Sequence, residues 1–179
     1  MTVLDKRTLR RSVRAEIAKL SDEEKELLSA RIFAKIEQLE AVENATVVAL
    51  YAALADEPQS AEIIDRLSLS KRVVLPRIKG DEMDFYDISE GVSEGSFGIL
   101  EPIATTPIEP CEIDVMIVPG VAFTRNGARL GRGKGFYDKY LSRNGFRAHT
   151  IGVCYPCQIV ESIPTEEHDK RLDRVESSE

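Results

Sequence analysis

The sequence "ATVVALY" at residues 45–51 decides the fold class, because its residues are apolar or β-branched and no charge interrupts them. A continuous apolar run of this length is typical of a strand buried on both faces, as in a parallel sheet. Four further segments have the composition of strands: "RVVLP" (72–76), "MDFYDI" (83–88), "IDVMIVPG" (113–120) and "AHTIGVCY" (148–155).

Helical patterns lie between these strands. Leu9, Val13 and Ile17 recur at nearly helical spacing, which predicts an amphipathic helix over residues 3–20. The segment "SDEE" predicts a capping box that opens a second helix, and shorter helices are predicted around "AEIIDRL" and "GFYDKYL". Strands that alternate with helices indicate an α/β fold, with a mainly parallel sheet flanked by helices in a single domain over residues 1–179.

Two other regions are predicted to be irregular. Residues 89–112 contain many glycines and prolines and are predicted to be mostly loop. The tail from Glu161 is polar.

The composition of the 179-residue chain is that of an ordinary soluble protein, with 42% hydrophobic and 31% charged residues. We expect a cytoplasmic protein, because no apolar run approaches the roughly 20 residues of a membrane helix and no signal-peptide pattern is present. Three cysteines are too few for a disulfide scaffold. Cys154 and Cys157 have CxxC spacing, but a single pair is weak evidence for zinc or redox chemistry.

The formal net charge of −7 argues against nucleic acid as a partner. The cations are nevertheless concentrated in two places. Residues 125–147 carry seven Lys or Arg side chains and one acid, Asp138, and the first nineteen residues carry six cations and two acids. Two basic regions in an acidic chain predict that it binds a compact anion, such as a nucleoside triphosphate.

The second basic region follows a predicted strand, so it lies at the edge of the sheet where open α/β folds bind ligands. Four glycines occur in this loop: Gly127, Gly131, Gly133 and Gly135. They allow backbone N–H groups to approach an oxyanion, Arg132 and Lys134 add charge, and Asp138 could hold Mg²⁺. The spacing fits neither the P-loop nor the dinucleotide fingerprint, so it indicates an anion site but leaves a simple solvated turn open.

A longer pattern is more specific. The segment "VPGVAFTRNGARLGRGKGFYDKYL" (118–141) resembles the signature of the 5-formyltetrahydrofolate cyclo-ligases, also called methenyltetrahydrofolate synthetases. Further similar segments follow in the family's order along nearly the whole chain: "KRTLR" (6–10), "YAALADE" (51–57), "LPRI" (75–78), "MDF" (83–85), "GILEP" (98–102) and "IPTEEHDKRLD" (163–173).

The resemblance implies an ATP- and Mg²⁺-dependent enzyme that converts 5-formyltetrahydrofolate to 5,10-methenyltetrahydrofolate, with release of ADP and phosphate. It implies a phosphorylated formyl group, an imidate phosphate, as the intermediate. It also implies a fold akin to the sugar-phosphate isomerases and CoA transferases. We expect a monomer with no nucleic-acid or membrane partner.

The resemblance also assigns site residues. The expected catalytic residues are Arg132, Lys134 and Tyr137, and the expected Mg²⁺ ligands are Asp138 and Asp169. The expected ATP-binding residues are Lys6, Arg7, Arg10, Arg129, Gly131, Arg132, Gly133, Lys134, Gly135, Phe136 and Tyr137. The expected substrate-binding residues are Arg10, Ala52, Glu57, Met83, Arg132 and Phe136, with Glu57 pairing with the pterin ring.

The chain departs from the family pattern at a few positions. Phe136 stands where the family usually has tyrosine, so a ring is kept without its hydroxyl, and Ser60 stands where threonine is common. The tail "RVESSE" lacks the family's usual strand-like ending with threonine, so we expect an altered or frayed end there. We expect His149 to pack in its strand and His168 to orient Asp169 at most. Phe85 and Phe123 are expected in the core.

Two other kinds of protein remain alternatives. One is a sugar-phosphate isomerase or acyl-CoA enzyme on a related sheet, which would need a catalytic carboxylate or histidine facing the anion loop. The other is a nucleotide- or folate-binding module without catalytic turnover.

Overall fold

The computed structural model describes residues 5–95 and 98–178. The helices are α1 (Lys6–Ile17), α2 (Asp22–Glu37), α3 (Glu40–Asn44), α4 (Ala61–Ser68) and α5 (Phe136–Leu141). The strands are β1 (Val47–Ala49), β2 (Arg72–Lys79), β3 (Glu82–Asp87), β4 (Val92–Glu94), β5 (Leu100–Pro102), β6 (Val115–Val118), β7 (Ala122–Phe123), β8 (Arg129–Leu130), β9 (His149–Val153) and β10 (Arg174–Glu176).

The central sheet of the described residues has six strands in the order β10-β9-β6-β1-β2-β3. All neighbours are parallel except β2 and β3, which form an antiparallel pair at one edge. Val48 pairs with Val73 on one side and with Val115 on the other, so β1 lies in the interior of the sheet. The predicted α/β fold, with a mainly parallel sheet flanked by helices, is confirmed.

Both faces of the sheet are covered, which explains the continuous apolar sequence of β1. Val48 and Leu50 pack in a core that includes the buried residues of α1, α2 and α4. Val47 and Ala49 point the other way and belong to a second core that includes Tyr140 of α5. Because successive strand residues alternate between faces, a strand covered on both sides needs an apolar residue at every position.

The helix starts follow local signals in the sequence. Ser21 Oγ accepts a hydrogen bond from the Glu24 backbone N–H at 3.1 Å, and the Glu24 carboxylate accepts one from the Ser21 N–H at 2.8 Å. This is the predicted capping box. The first helix begins at Lys6 rather than at residue 3, because the Asp5 carboxylate caps it by accepting from the N–H groups of Arg7 and Thr8. Residues 3 and 4 lie outside the described part of the chain.

Two regions are more ordered than the sequence predicts. Residues 89–112 contain the antiparallel hairpin of β4 and β5 and a 3₁₀ turn at Pro110–Glu112. The tail is not frayed, because β10 pairs in parallel with β9, with Val175 opposite Gly152. A polar edge strand is stable here because its backbone hydrogen bonds to β9 do not depend on the polarity of its exposed side chains.

In the described ranges, no helix is both long enough and apolar enough to cross a membrane. The prediction that residues 1–179 form one domain stays a prediction, as does the likeness to sugar-phosphate isomerases and CoA transferases.

Candidate active site

A cavity of about 460 Å³ opens at the carboxyl ends of β1 and β6. Tyr51 and Ala52, just after β1, and Pro119 and Gly120, just after β6, line it. The chain leaves β1 through α4, which packs on one face of the sheet, and leaves β6 through α5, which packs on the other. The strand order therefore reverses between these two strands, and open α/β sheets bind their ligands at such a point.

One wall of the cavity is the glycine-rich loop, residues 131–135, between β8 and α5. Gly133 and Gly135 have φ values of +110° and +70°, a left-handed backbone that residues with a Cβ rarely adopt. The loop is tied to α1, because Arg10 Nε donates to the Gly131 carbonyl at 2.7 Å. Lys134 is exposed and forms no hydrogen bond or ion pair with the residues that the structure describes.

Arg129 lies beneath this loop with only 4% of its side chain exposed. Its Nη1 donates to the Pro119 carbonyl at 3.2 Å, and its Nη2 lies 3.4 Å from Asp138 Oδ2. Its Nε is buried and has no hydrogen-bond partner among the described residues. Burial lowers the pKa of Arg129, while Asp138 acts in the opposite direction. A buried cation with a spare donor is suited to an anionic ligand.

The N-terminal helix α1 contributes a further cation, Lys6, to the lining of the cavity. Lys6 Nζ donates to Asp169 Oδ2 at 2.7 Å and lies 3.2 Å from Glu166 Oε1. Partial burial lowers the pKa of Lys6, but the hydrogen bonds to these two carboxylates outweigh it and leave the pKa raised. For Asp169, burial raises the pKa, but the hydrogen bond from Lys6 and the Glu166 N–H leave it lowered. Both groups are therefore charged at neutral pH.

The opposite wall is the acidic loop, residues 54–57. Glu57 is 4% exposed, and its Oε2 accepts from the Leu54 N–H at 3.0 Å. Its Oε1 accepts from Arg132 Nε at 3.1 Å and from Arg132 Nη2 at 2.8 Å. Arg132 also donates to Asp56, so it bridges the two walls of the cavity.

The rest of the lining is mainly apolar. Leu54, Ile78, Met83 and Ile99 provide a surface that could hold the flat part of an organic ligand. Tyr137 also lines the cavity, and burial raises the pKa of its hydroxyl, so the phenol is neutral and able to donate a hydrogen bond.

Two carboxylates line the cavity where a divalent cation could bind. Asp138 Oδ1 accepts from the Lys170 N–H at 3.1 Å, and Asp169 Oδ2 accepts from the Glu166 N–H at 2.8 Å, so backbone groups orient both side chains. No cluster of three or more His, Cys, Asp or Glu side chains suited to a metal occurs among the described residues. Two carboxylates nevertheless fit Mg²⁺, which commonly takes one or two protein carboxylates together with phosphate oxygens and water.

The cavity brings together every residue named above as a candidate for catalysis or binding except Arg7, which is exposed and does not line it. Gly127 is also absent from the lining. It lies in the turn between β7 and β8, with a φ of +92°, where a Cβ would come within 2.2 Å of the Leu172 carbonyl oxygen. Its glycine is needed for close packing and not for anion binding.

Some predicted side chains have other surroundings. Phe85 and Phe123 are buried in the core, as expected, while Met83 is both buried and part of the cavity wall. His168 Nε2 lies 3.3 Å from Glu166 Oε2 and 3.7 Å from Asp169 Oδ1. Cys154 is buried and Cys157 is half-buried, and both are free thiols.

Sequence reasoning missed Asp56, Glu166 and the apolar lining from β2 and the β4–β5 hairpin. Asp56 adjoins Glu57, and Glu166 lies three residues before Asp169, so a search for acids beside each assigned carboxylate could have found both. The apolar lining has no such signal, because its residues come from distant parts of the sequence.

The fold and the cavity define an α/β protein with a cationic cavity at the carboxyl edge of a mainly parallel sheet, with apolar surface and a buried carboxylate beside it. The model of the 5-formyltetrahydrofolate cyclo-ligase family matches residues 3–177. The chain therefore belongs to the 5-formyltetrahydrofolate cyclo-ligase family, and the prediction that it is an enzyme of this family is confirmed.

Individual relatives agree with this assignment. The 5-formyltetrahydrofolate cyclo-ligase of Mycolicibacterium smegmatis is 35% identical over 72% of this chain and 71% of its own length. The enzyme of the same name from Mus musculus is 27% identical over 95% of this chain and 92% of its own length. The solved structure of the 5,10-methenyltetrahydrofolate synthetase of Aquifex aeolicus superposes with a TM-score of 0.85 at 32% identity, covering 96% of this chain and 88% of that one.

Proposed function

We propose that this chain converts 5-formyltetrahydrofolate to 5,10-methenyltetrahydrofolate with the consumption of MgATP and the release of ADP and phosphate. Family membership over residues 3–177 supports the reaction class. The observation that carries the use of ATP is the shared cavity of Lys6, Arg10, Arg129 and Lys134, in which cations from α1 and from the glycine-rich loop converge.

The chemistry needs an activated oxygen, because the formamide oxygen cannot leave as hydroxide at neutral pH. In the proposed sequence the formyl oxygen attacks the γ-phosphorus of ATP, and ADP leaves. N10 of the folate then attacks the formyl carbon and loses its proton. The C–O bond breaks, and phosphate departs with the former formyl oxygen. Such a reaction depends on positioning and on charge neutralisation more than on a protein nucleophile.

The cationic side chains have the roles that phosphoryl transfer requires. Lys134 and Arg129, with the backbone N–H groups of the glycine-rich loop, are proposed to bind the phosphates. The Lys134 amine has no partner among the described residues, and Arg129 Nε is a buried donor without a hydrogen-bond partner among them. Lys6 and Arg10 lie one helical turn apart on α1 and face the same cavity. Tyr137 is proposed to donate a hydrogen bond from its neutral hydroxyl to a ligand in the cavity.

Asp138 and Asp169 are proposed to hold Mg²⁺, which would neutralise phosphate charge when bound. Glu57 is proposed to accept hydrogen bonds from the pterin ring, since its carboxylate lines the cavity and a carboxylate can pair with an N–H and amino edge. Met83, Ala52 and Phe136 line the same cavity and would pack against the folate.

One assay tests the proposal. The protein is mixed with 5-formyltetrahydrofolate and MgATP, and the near-ultraviolet absorbance of the methenyl product is followed, with parallel reactions lacking ATP or containing a chelator. We expect product only in the complete mixture. Binding of both substrates without product would indicate a binding module, and turnover of a sugar phosphate or acyl-CoA without ATP would indicate the related enzyme class.

Two further expectations belong to the same proposal. We propose that the protein acts as a monomer, which light scattering at the assay concentration can test. We also propose that nucleic acid is not a partner, in keeping with the net charge of −7.

A further inference from the structure

Arg132 lies between two acidic side chains at the mouth of the cavity. Its Nε and Nη2 both donate to Glu57 Oε1, at 3.1 and 2.8 Å, and its Nη1 donates to Asp56 Oδ2 at 3.2 Å. Its Nη2 also donates to Asp56 Oδ1. The guanidinium is therefore held by the acidic loop, with all three of its nitrogens donating to carboxylates.

Glu57 has little capacity left for a ligand in this arrangement. A carboxylate accepts about four hydrogen bonds. Arg132 supplies two of them, and the Leu54 N–H supplies a third. A pterin that pairs two N–H donors with Glu57 must therefore displace at least one donor of Arg132, since the Leu54 N–H belongs to the fold of the loop itself.

Arg132 has the freedom to move once it is displaced. It stands between Gly131 and Gly133 and is exposed at the surface of the loop. Gly133 has a φ of +110° and no heavy atom closer than 3.8 Å to the position of a Cβ, so the backbone is open on the Gly133 side of Arg132, whereas Gly131 on the other side packs against Arg129. Asp56 would not be left without a cation, because Arg14 Nε lies 3.7 Å from its Oδ2.

We propose that Asp56 is a positioning residue that withholds Arg132 from the nucleotide until a folate occupies Glu57. This inference rests on the proposed function. When the pterin hydrogen-bonds to the Glu57 carboxylate, Arg132 loses one of its two carboxylate partners. The phosphates of the nucleotide then compete successfully with Asp56 for the guanidinium. The two substrates consequently bind with positive coupling, and each tightens the binding of the other by the same factor.

The coupling can be measured without turnover. The affinity for the non-hydrolysable β,γ-imido analogue of MgATP is determined by calorimetry, with and without saturating 5-formyltetrahydrofolate. For the unmodified protein we expect the folate to tighten binding of the analogue about tenfold, within the usual range of about 5- to 150-fold for coupled sites.

The decisive variant is Asp56→Asn, which removes the competing charge. We expect it to bind the analogue about threefold more tightly in the absence of folate, with a further gain of only about threefold when folate is added, because Glu57 still holds Arg132 until the folate displaces it. Asp56→Glu restores the carboxylate and should restore the coupling. Asp65→Asn is the matched control, because Asp65 is an exposed acid on α4 that forms no hydrogen bond or ion pair with the described residues. It should behave as the unmodified protein does.

A merely structural role of Asp56 would give a different result, since a damaged loop would weaken binding of both ligands. If Asp56→Asn does not fold, Arg132→Lys carries the test: lysine keeps the charge but cannot bridge two carboxylates, so the coupling should fall below twofold. Full coupling in either variant would overturn the inference. Absence of coupling in a protein that binds both ligands would also overturn it, whereas failure to bind either ligand would reject the proposed function itself.

Discussion

The two walls of the cavity differ in how their charged groups are satisfied. In the acidic loop, the buried carboxylate of Glu57 accepts three hydrogen bonds from the protein. In the glycine-rich loop, Lys134 is exposed and without a partner among the described residues. The carboxylate of the first wall is satisfied by the protein itself, whereas the exposed amine of the second wall is accessible to a ligand. Substitutions in the acidic loop should therefore affect folding, and substitutions in the glycine-rich loop should affect mainly catalysis.

The largest effect is expected for Lys134→Ala. The change removes a cation that balances phosphate charge in the transition state, so kcat/KM should fall about 10²- to 10³-fold. Because no described contact is lost, the free energy of unfolding should stay within about 0.5 kcal/mol of its original value. Steady-state kinetics and urea denaturation measure the two quantities.

Lys139→Ala is the control for Lys134, because Lys139 is an exposed lysine whose amine reaches only the Asp81 carbonyl at 3.5 Å. It should keep normal kinetics. If Lys134→Ala lowers the stability but not the activity, the glycine-rich loop has a structural role, and the expected difference between the two walls is wrong.

The next largest effect is expected for Asp138→Asn. The amide keeps an oxygen for the Lys170 N–H but loses the charge that attracts the metal. We expect the Mg²⁺ concentration for half-maximal activity to rise about 10- to 100-fold, as shown by titrating the assay with MgCl₂. Asp81→Asn, in the exposed turn between β2 and β3, should leave this concentration unchanged. An unchanged requirement in Asp138→Asn would remove Asp138 from the metal site.

Glu57→Ala tests the opposite wall. It leaves the Leu54 N–H without its acceptor and Arg132 without one of its two acids, so the free energy of unfolding should fall by about 2 kcal/mol. Glu57→Gln keeps one oxygen and should cost about half as much. Glu62→Ala, which removes only an exposed ion pair to Arg66 at 3.4 Å, should cost less than about 0.5 kcal/mol. Equal costs for Glu57→Ala and Glu62→Ala would contradict a pre-formed acidic loop.

The smallest effect concerns pH. Burial raises the pKa of Asp56, but the hydrogen bond and charge of Arg132 outweigh it, so the pKa lies below its usual value near 3.8. A depressed carboxylate pKa stabilises the fold above the unfolded-state pKa, and this contribution is lost as the pH falls through the folded-state pKa. Asp56 is about one-third exposed, so we expect less than about 1 kcal/mol.

Denaturation of the unmodified protein and of Asp56→Asn between pH 7 and pH 3 measures this contribution. The difference in stability between the two proteins should shrink below about pH 4. A difference that grows toward acid pH would show that Asp56 is not ionised against Arg132 in the folded state.

The sequence predicted the fold correctly where a local pattern of residues has a single physical explanation. The run "ATVVALY" had to be a doubly covered strand, because no alternation of polar residues offers a face to water. The Ser21 and Glu24 pair acts over three residues and needs no tertiary contact. By contrast, the polar end of the chain departs from the family's usual ending, so the sequence predicted fraying. It forms β10 because its backbone pairs with β9, a strand more than twenty residues earlier, and no local pattern indicates this pairing.

For the site, the sequence by itself determined the kinds of groups present: glycines that allow close backbone approach, cations suited to phosphate, and acids suited to a metal or to hydrogen-bond donors. Only the tertiary structure decided which of them meet. It buried Arg129, placed Arg7 and Gly127 outside the lining of the cavity, and joined Arg132 to Glu57 across 75 positions of the chain. The physical reason is that local patterns follow from backbone geometry within a few residues, whereas burial and charge pairing depend on which distant segments the folded sheet places side by side.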